Sequence, residues 1–487
     1  MNVLIKNGTL IDPKNNIKEK LDIVLEDKRV KQIDKKIKEV DENGERIFKH
    51  VIDAKGMIVA PGFVDVYPNF CDPGVTTKED LKTGSLASVK GGFTYVVLGV
   101  DNVPSTGEVN VIEYIRKYAS IMPVNIYTTA SLKYGRQLDD ISDLNFLSTH
   151  GALSFYDGVK PIEDKAFLKA TLEKIKKLNK VFGLYCEDQK KVKINGILKS
   201  DISEKLGLKG ATPREAEVND LKVNLPIVKE VGTKVIFTNI TSDESLDYFE
   251  KEKADNTFAA APVLNIVLNE KALSKGDTNA KLLPPLRSEE ERKLLINAIK
   301  KDVIDIIYSN HTPQLKEDKD VKIKDAIHGS ISLETVLGIV GKVLVDDEGM
   351  SWSKVIEKIS LRPAQIFELD KYGAGEIKVG NIANITIFDP NEEWEITEDT
   401  IVSKSKNTPI IGMKLKAKVK YTITNGLLVY RDTNISNLDE SLIEKKEEVV
   451  EDDSKQSEKE KEKSQRVKMK LFREVFGGIK KEREEEE

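Results

Sequence analysis

Eight apolar runs recur along residues 60–368, and they constrain the fold more than any other feature. They are FVDV (63–66), TYVVLG (94–99), VNIYTTAS (124–131), ALSFYD (152–157), VFGLYCED (181–188), KVIFTNIT (234–241), TFAAAPV (257–263) and IDIIYSNH (304–311). Helix-type stretches such as DKAFLKATLEKIKKLNK and SEEERKLLINAIKKD separate several of them. A near-continuous apolar strand is buried on both faces, as in a parallel sheet covered by helices. Eight such strands over roughly 300 residues predict an α/β fold closing into a (β/α)8 TIM barrel. An open doubly wound sheet is the alternative. No G-x-G-x-x-G follows the first run, so its nucleotide-binding version lacks support.

The two flanks of this region read differently. VLIKNGTLID, LDIVLEDKRVKQI and HVIDAKGMIVAPGF near the start show period-two alternation with turn residues between them. A matching group, GEIKVGNIANITIFDP, EEWEITED and AKVKYTITNGLLVYRD, lies at about 375–431. Neither set alone makes a good core, so the two ends are expected to build one β-sandwich from residues 1–56 and 369–432, around a barrel at 57–368. Two unrelated β appendages are the less favoured reading. Residues 433–465 are dominated by Glu, Lys, Asp and Ser and predict a disordered charged linker. Beyond it, residues 466–487 carry Val467, Leu471, Val475, Phe476 and Ile479 at helical spacing, then an acidic end. This short amphipathic helix is either frayed and without a role or a tethered dock for a partner. The closing EREEEE opposes an anionic surface and favours the first.

Composition narrows the function classes. The 77 Lys+Arg against 82 Asp+Glu leave a formal charge of −5, with no basic excess for nucleic acid. No apolar stretch approaches the ~18–20 residues of a membrane span, and the start is too weakly apolar for a signal peptide, so a cytoplasmic protein is expected. Two cysteines, Cys71 and Cys186, make neither a disulfide framework nor a four-thiolate zinc site. The chain has only four histidines: His50, His150, His311 and His328.

Chemistry in a parallel barrel sits at the C-terminal ends of the strands. Pro61-Gly62-Phe63-Val64-Asp65, followed by Tyr67, Asn69 and Asp72-Pro73-Gly74, resembles the first-strand signature of dihydroorotases in the amidohydrolase superfamily. Gly91-Gly92-Phe93-Thr94, Gly207-Leu208-Lys209-Gly210 with Ala216-Glu217, and Pro284-Pro285-Leu286-Arg287 resemble later family segments in order. So do Ser332-Leu333-Glu334-Thr335, Pro363-Ala364-Gln365-Ile366-Phe367 and Asn407-Thr408-Pro409. The resemblance covers nearly all of the chain to about residue 431. It implies a metal-dependent hydrolase barrel with a small β-sandwich made from both chain ends.

The resemblance also implies a cage of imidazoles and carboxylates around zinc, the family cofactor, which lowers the pKa of bound water from 15.7 to about 7. In this sequence the first-strand His-x-His positions hold Tyr67 and Asn69. The fifth-strand His position holds Tyr185, the sixth-strand one Asn239, and the catalytic Asp of the eighth strand is replaced by Asn310. Asp157 matches a surviving metal-binding carboxylate. An amide oxygen is a weak zinc donor, a phenol must first lose a proton with pKa ≈ 10, and an Asn cannot accept a proton as a carboxylate does. On the substrate side, the family's Arg is replaced by Cys71 and its Asn by Asp101. A carboxylate at Asp101 would repel an anionic substrate by about 4 kcal/mol at ~4 Å and an effective dielectric of ~20.

These losses predict a noncatalytic dihydroorotase-like protein with no cofactor. By resemblance, it would be a structural partner of aspartate carbamoyltransferase in de novo pyrimidine synthesis, within a homo- or hetero-oligomer. Two alternatives stand. One is an active cyclic-amide hydrolase with an unusual metal site at Cys71, Cys186 and His311, if all three face one pocket; buried thiols and a hydrogen-bonded His311 are the favoured reading. The other is an interaction protein resembling collapsin response mediator proteins. His50 and His150 read as surface or loop residues, and His328 as a packing residue near the barrel mouth. Asp65 reads as a structural carboxylate bonded to backbone N–H groups. Glu187 and Asp188, adjacent and so facing opposite ways, do not read as an acid–base pair.

Overall fold

Alternation along each apolar run decides which side chains fill a barrel and which meet its helices. A computed structural model describes residues 2–132 and 143–432, and each of the eight runs contains a strand. These barrel strands are β1 (Phe63–Val66), β2 (Phe93–Val97), β3 (Asn125–Ala130), β4 (Ala152–Phe155), β5 (Val181–Leu184), β6 (Val235–Phe237), β7 (Thr257–Pro262) and β8 (Ile306–Tyr308). They form one parallel sheet in sequence order, from β1 to β8. Val64, Val66, Tyr95, Val97, Val181, Ile236, Ala260, Ile306 and Tyr308 form one buried cluster. Their neighbours of opposite parity, such as Phe63, Phe93, Phe182, Phe237 and Ile307, belong to a second cluster shared with the helices. The (β/α)8 expectation is met.

The seam between β1 and β8 is closed by a side chain. The Asp65 carboxylate accepts the Ser309 N–H at 2.8 Å and the Ser309 hydroxyl as well. The Asn69 N–H donates to the His311 carbonyl at 2.9 Å just beyond it. Burial pushes the Asp65 carboxyl up to about 6.

Local chemistry places the covering helices. Helix Lys165–Lys177 begins at Asp164, whose carboxylate accepts the N–H groups of Ala166 and Phe167. It buries Leu168, Thr171, Leu172 and Ile175, a spacing that makes one face. Helix Glu289–Lys300 opens with a capping box between Ser288 and Glu291. Where the chain enters the barrel, Gly62 allows close approach: a Cβ there would lie 2.1 Å from the Thr94 side chain.

Both ends of the chain meet in one six-stranded sheet. Its order is Leu427–Arg431, Lys414–Thr424, Ile385–Glu395, Ile58–Pro61, Thr9–Asp12 and Ile17–Lys20. The strand Ile58–Pro61 pairs antiparallel with Ile385–Glu395 and hands the chain to β1. A four-stranded sheet runs Arg29–Asp34, Asp22–Glu26, Asn2–Lys6 and His50–Asp53. Val3, Ile5, Ile23, Leu25 and Ile52 of this sheet pack with Leu10, Val59, Ile385, Ile387 and Ile423 of the other. Met1–Asp432 forms one compact unit. The linker expected at 433–465 and the helix expected at 466–487 lie outside the described residues.

Candidate functional site

The site to test is the ring of residues just past the strand ends, where barrel chemistry belongs. A cavity opens there, lined by Tyr67, Asn69, Asp101, Tyr156, Tyr308, Asn310 and His328 among others. Its volume is about 30 Å³, against the ~300–1,000 Å³ typical of small-ligand pockets. It has room for about one water.

Rings take up the space on one side. Tyr67 stacks on Tyr156 with centroids 4.5 Å apart and meets Phe367 edge-on at 5.9 Å. The Tyr156 hydroxyl reaches Thr238 Oγ1 at 3.3 Å, and the Tyr308 hydroxyl donates to the Thr238 carbonyl at 2.9 Å. Gly183 of β5 leaves the room for this stack: a Cβ there would sit 2.7 Å from the Tyr156 ring and 2.8 Å from the Tyr67 hydroxyl. Tyr67, Cys71 and Asn310 hold left-handed backbone, with φ of 61°, 56° and 53°. For Tyr and Cys this conformation is strained by about 1–2 kcal/mol each.

Hydrogen bonds fill the other side. Asn239, past β6, accepts the Cys186 N–H at 2.9 Å and donates to the Cys186 carbonyl at 2.6 Å, so both ends of its amide bond the backbone of one residue. Glu217 accepts the N–H groups of Thr241 and Ser242 at 2.8 and 2.9 Å, and Arg287 Nη2 donates to it at 2.7 Å. Both members of this ion pair are buried. Thus Ala216-Glu217 and the PPLR turn, 70 positions apart at Glu217 and Arg287, meet in one network. Glu187 lies beside it, accepts from Gln189 at 2.6 Å, and is pushed up to about 7 by burial.

Each expected metal position can now be placed. Tyr67, Asn69 and Asn310 line the cavity; Asp157, Tyr185 and Asn239 do not. Burial pushes the phenols of Tyr67 and Tyr185 well above their ordinary value, away from the phenolate a metal would need. The Asp157 carboxylate accepts the Ser131 hydroxyl and the Leu132 N–H, each at 2.8 Å. Asn310 Nδ2 donates to the Leu283 carbonyl at 2.9 Å, and Asn69 Oδ1 accepts the Asp101 N–H at 3.4 Å. This donor set does not fit zinc: three of its members are amides, which are weak zinc donors, and burial holds the two phenols neutral.

The Cys71, Cys186 and His311 group is not assembled. None of the three lines the cavity. Tyr185 faces the barrel interior with Tyr67 and Tyr156, so Cys186 turns the opposite way into the helix-facing cluster, where Asn224 Nδ2 reaches its sulfur at 3.4 Å. Burial pushes the Cys71 thiol up to about 12. His311 Nδ1 accepts the Ser332 N–H at 3.2 Å, and its Nε2 lies 3.4 Å from the buried Glu79 carboxylate. Among the described residues, no three of His, Cys, Asp and Glu come together as a metal cage.

Of the remaining residues, Asp101 sits in the cavity wall, and Cys71 does not. His50 is exposed, and His150 ends the helix Leu144–Thr149. His328 does reach the cavity, and burial pushes its imidazole down to about 4. Sequence reasoning missed Tyr156 and Tyr308, the rings that pack the mouth, and Glu79, the partner of His311. No helix among the described residues is long and apolar enough to cross a membrane.

Comparisons with known proteins agree with this architecture. The model of the amidohydrolase family matches residues 58–429. A dihydroorotase of Clostridium acetobutylicum is 35% identical over 432 residues, covering 88% of this chain and 100% of its own. One from Aquifex aeolicus is 33% identical over 435 residues, covering 89% and 100%. Among solved structures, the L-hydantoinase (dihydropyrimidinase) of Arthrobacter aurescens superposes with a TM-score of 0.78 at 19% identity, over 89% of this chain and 97% of its own. That likeness speaks to the fold. Sequence identity held along the full length of the relatives places this chain in the amidohydrolase family, among the dihydroorotase-like proteins.

Proposed function

We propose that this chain is a noncatalytic dihydroorotase-like protein of de novo pyrimidine synthesis that serves as a structural partner of aspartate carbamoyltransferase. The observation that carries the noncatalytic part is the filling of the barrel mouth: a stacked Tyr67–Tyr156 pair beside a cavity of about 30 Å³. Opening a cyclic amide at neutral pH calls for an activated water and a group to carry its proton. In this chain the position for the proton carrier is Asn310, whose amide donates to Leu283. The cavity beside it, as the described residues line it, is smaller than a ring-sized substrate needs. The partner rests on the family resemblance alone; the relatives named dihydroorotase support the family.

Metal analysis and an assay with dihydroorotate test the first part on the same purified sample. The expected result is substoichiometric zinc and no turnover above a buffer blank. Stoichiometric zinc with chelator-sensitive turnover would overturn it. Co-sedimentation with aspartate carbamoyltransferase from the same cell tests the second part: a joint boundary is expected, and separate boundaries would remove the partner.

A further inference from the structure

After β8 the chain runs out over the barrel mouth through residues 312–329 and returns beside itself. The two ends of this loop are tied together. The Thr312 N–H donates to the Ser330 carbonyl at 2.8 Å, and Asn407 Nδ2 donates to the carbonyls of Thr312 and Gly329 at 3.2 and 3.1 Å. A loop closed at its base can lift as one piece. Thr312, His328 and Gly329 belong to the cavity wall, so the seating of the loop decides how wide the mouth stands.

Two buried lysines hold it down. Lys319, on the loop, is 6% exposed and donates to the carbonyls of Ile327 at 2.7 Å and Thr278 at 3.1 Å. Lys281, between β7 and the helix Glu289–Lys300, is 3% exposed and donates to the loop carbonyls of Ile323 and Lys324, both at 3.1 Å. Among the described residues neither amine has a carboxylate partner. Each meets two acceptors, which matches the two N–H groups of a neutral amine and leaves the third N–H of an ammonium without one. A cation withdrawn from water with no counter-charge is costly. Other charges act from further off: Asp277, Asp318, Lys281 and Lys78 on Lys319, and Asp325 on Lys281. Lys78 is itself paired with Asp318 at 3.0 Å. Burial prevails, pushing Lys319 down to about 7 and Lys281 below its ordinary value.

We propose that residues 312–329 form a pH-dependent strap over the barrel mouth, seated most firmly while the Lys319 and Lys281 amines are neutral and loosened as they take up protons. Release returns both amines to water, where their ordinary value is 10.5. Between 10.5 and about 7 the released strap holds a proton at Lys319 that the seated one lacks, so seating weakens as pH falls through that window. His328, which faces Asp101 and the three lysines, is held down to about 4 and adds the same tendency below its ordinary 6.5. The strap depends on these side chains and not on the noncatalytic reading, so bound zinc at the mouth leaves it unaffected.

Hydrogen exchange of the full chain at pH 9 and pH 7, each rate divided by that of an unstructured chain at the same pH, tests the strap. The Ile327 and Gly329 N–H groups donate to the carbonyls of Asp318 and Lys281. Their protection should fall about tenfold or more from pH 9 to pH 7, while that of β6 holds. Lys319→Met cannot take up the proton and Lys319→Arg cannot lose one, so each should bring the ratio between the two pH values well below that of the wild type. Lys281→Met should lower it as well. A wild-type ratio of one would overturn the proposal, as would variants that fold and keep the wild-type ratio. Loss of protection in β6 in step with the strap would overturn it too, since the whole barrel would then be opening.

Discussion

On the β1, β4 and β8 side of the barrel mouth the space is taken by rings; on the β5 and β6 side it is taken by hydrogen bonds. Tyr67, Tyr156 and Tyr308 pack as an apolar mass whose only strong directional demand is at the hydroxyl tips. Glu217 and Arg287 form a buried ion pair, and Asn239 and Glu187 hold hydrogen bonds of their own with Cys186 and Gln189. The first side is held by packing and the second by charge and hydrogen bonds. A packed side tolerates loss in proportion to the cavity made, whereas a charged network fails sharply when one member leaves.

The largest expected effect is on the network. Glu217→Ala strands the Arg287 guanidinium, which is 4% exposed, and should cost about 3–5 kcal/mol in denaturant unfolding. Replacing both partners by apolar residues should recover much of that loss; if the double variant is no better than the single one, the network view fails. Next comes the ring side. Tyr67→Ala should cost about 3 kcal/mol and enlarge the mouth cavity, with a crystal structure as the check. An unchanged cavity would mean that the neighbouring rings collapse, making the two sides less different than described.

A smaller effect carries a sign. Burial raises the Glu187 carboxyl to about 7 from an ordinary value near 4.5. Between those values the native state holds a proton that the unfolded chain has released, so this group's contribution to stability falls as pH rises from 4.5 to 7. Glu187→Gln keeps an oxygen for the Gln189 amide and removes the titration. It should be neutral at pH 5 and stabilising by about 1–3 kcal/mol at pH 8, read as a shift in denaturant midpoint. Equal effects at the two pH values would show that Glu187 is not held neutral by burial.

The barrel was legible because a covered parallel sheet leaves a signal in every strand: eight apolar runs, each bounded by a helix-type stretch or a turn. The sandwich was legible as two weak β groups that each lacked a core. What fills the mouth was less so. Tyr156 and Tyr308 sit inside apolar runs, where a strand reading absorbs them, and only the strand parity reveals that both point into the barrel. The same parity shows why Cys186 cannot join a pocket that Tyr185 faces. The Glu217–Arg287 pair could be seen as two motifs but not as a contact, since 70 positions separate them. Glu79 carried no signal, because its approach to His311 depends on how the loop after β1 folds back.

The measurement that bears most directly on the account is zinc content and dihydroorotate turnover determined together on the purified chain after metal supplementation. With Tyr67, Tyr185, Asn69, Asn239 and Asn310 at the strand ends, the account predicts neither bound zinc nor product. One zinc or more per chain, with turnover lost on chelation and regained on adding metal back, would contradict it.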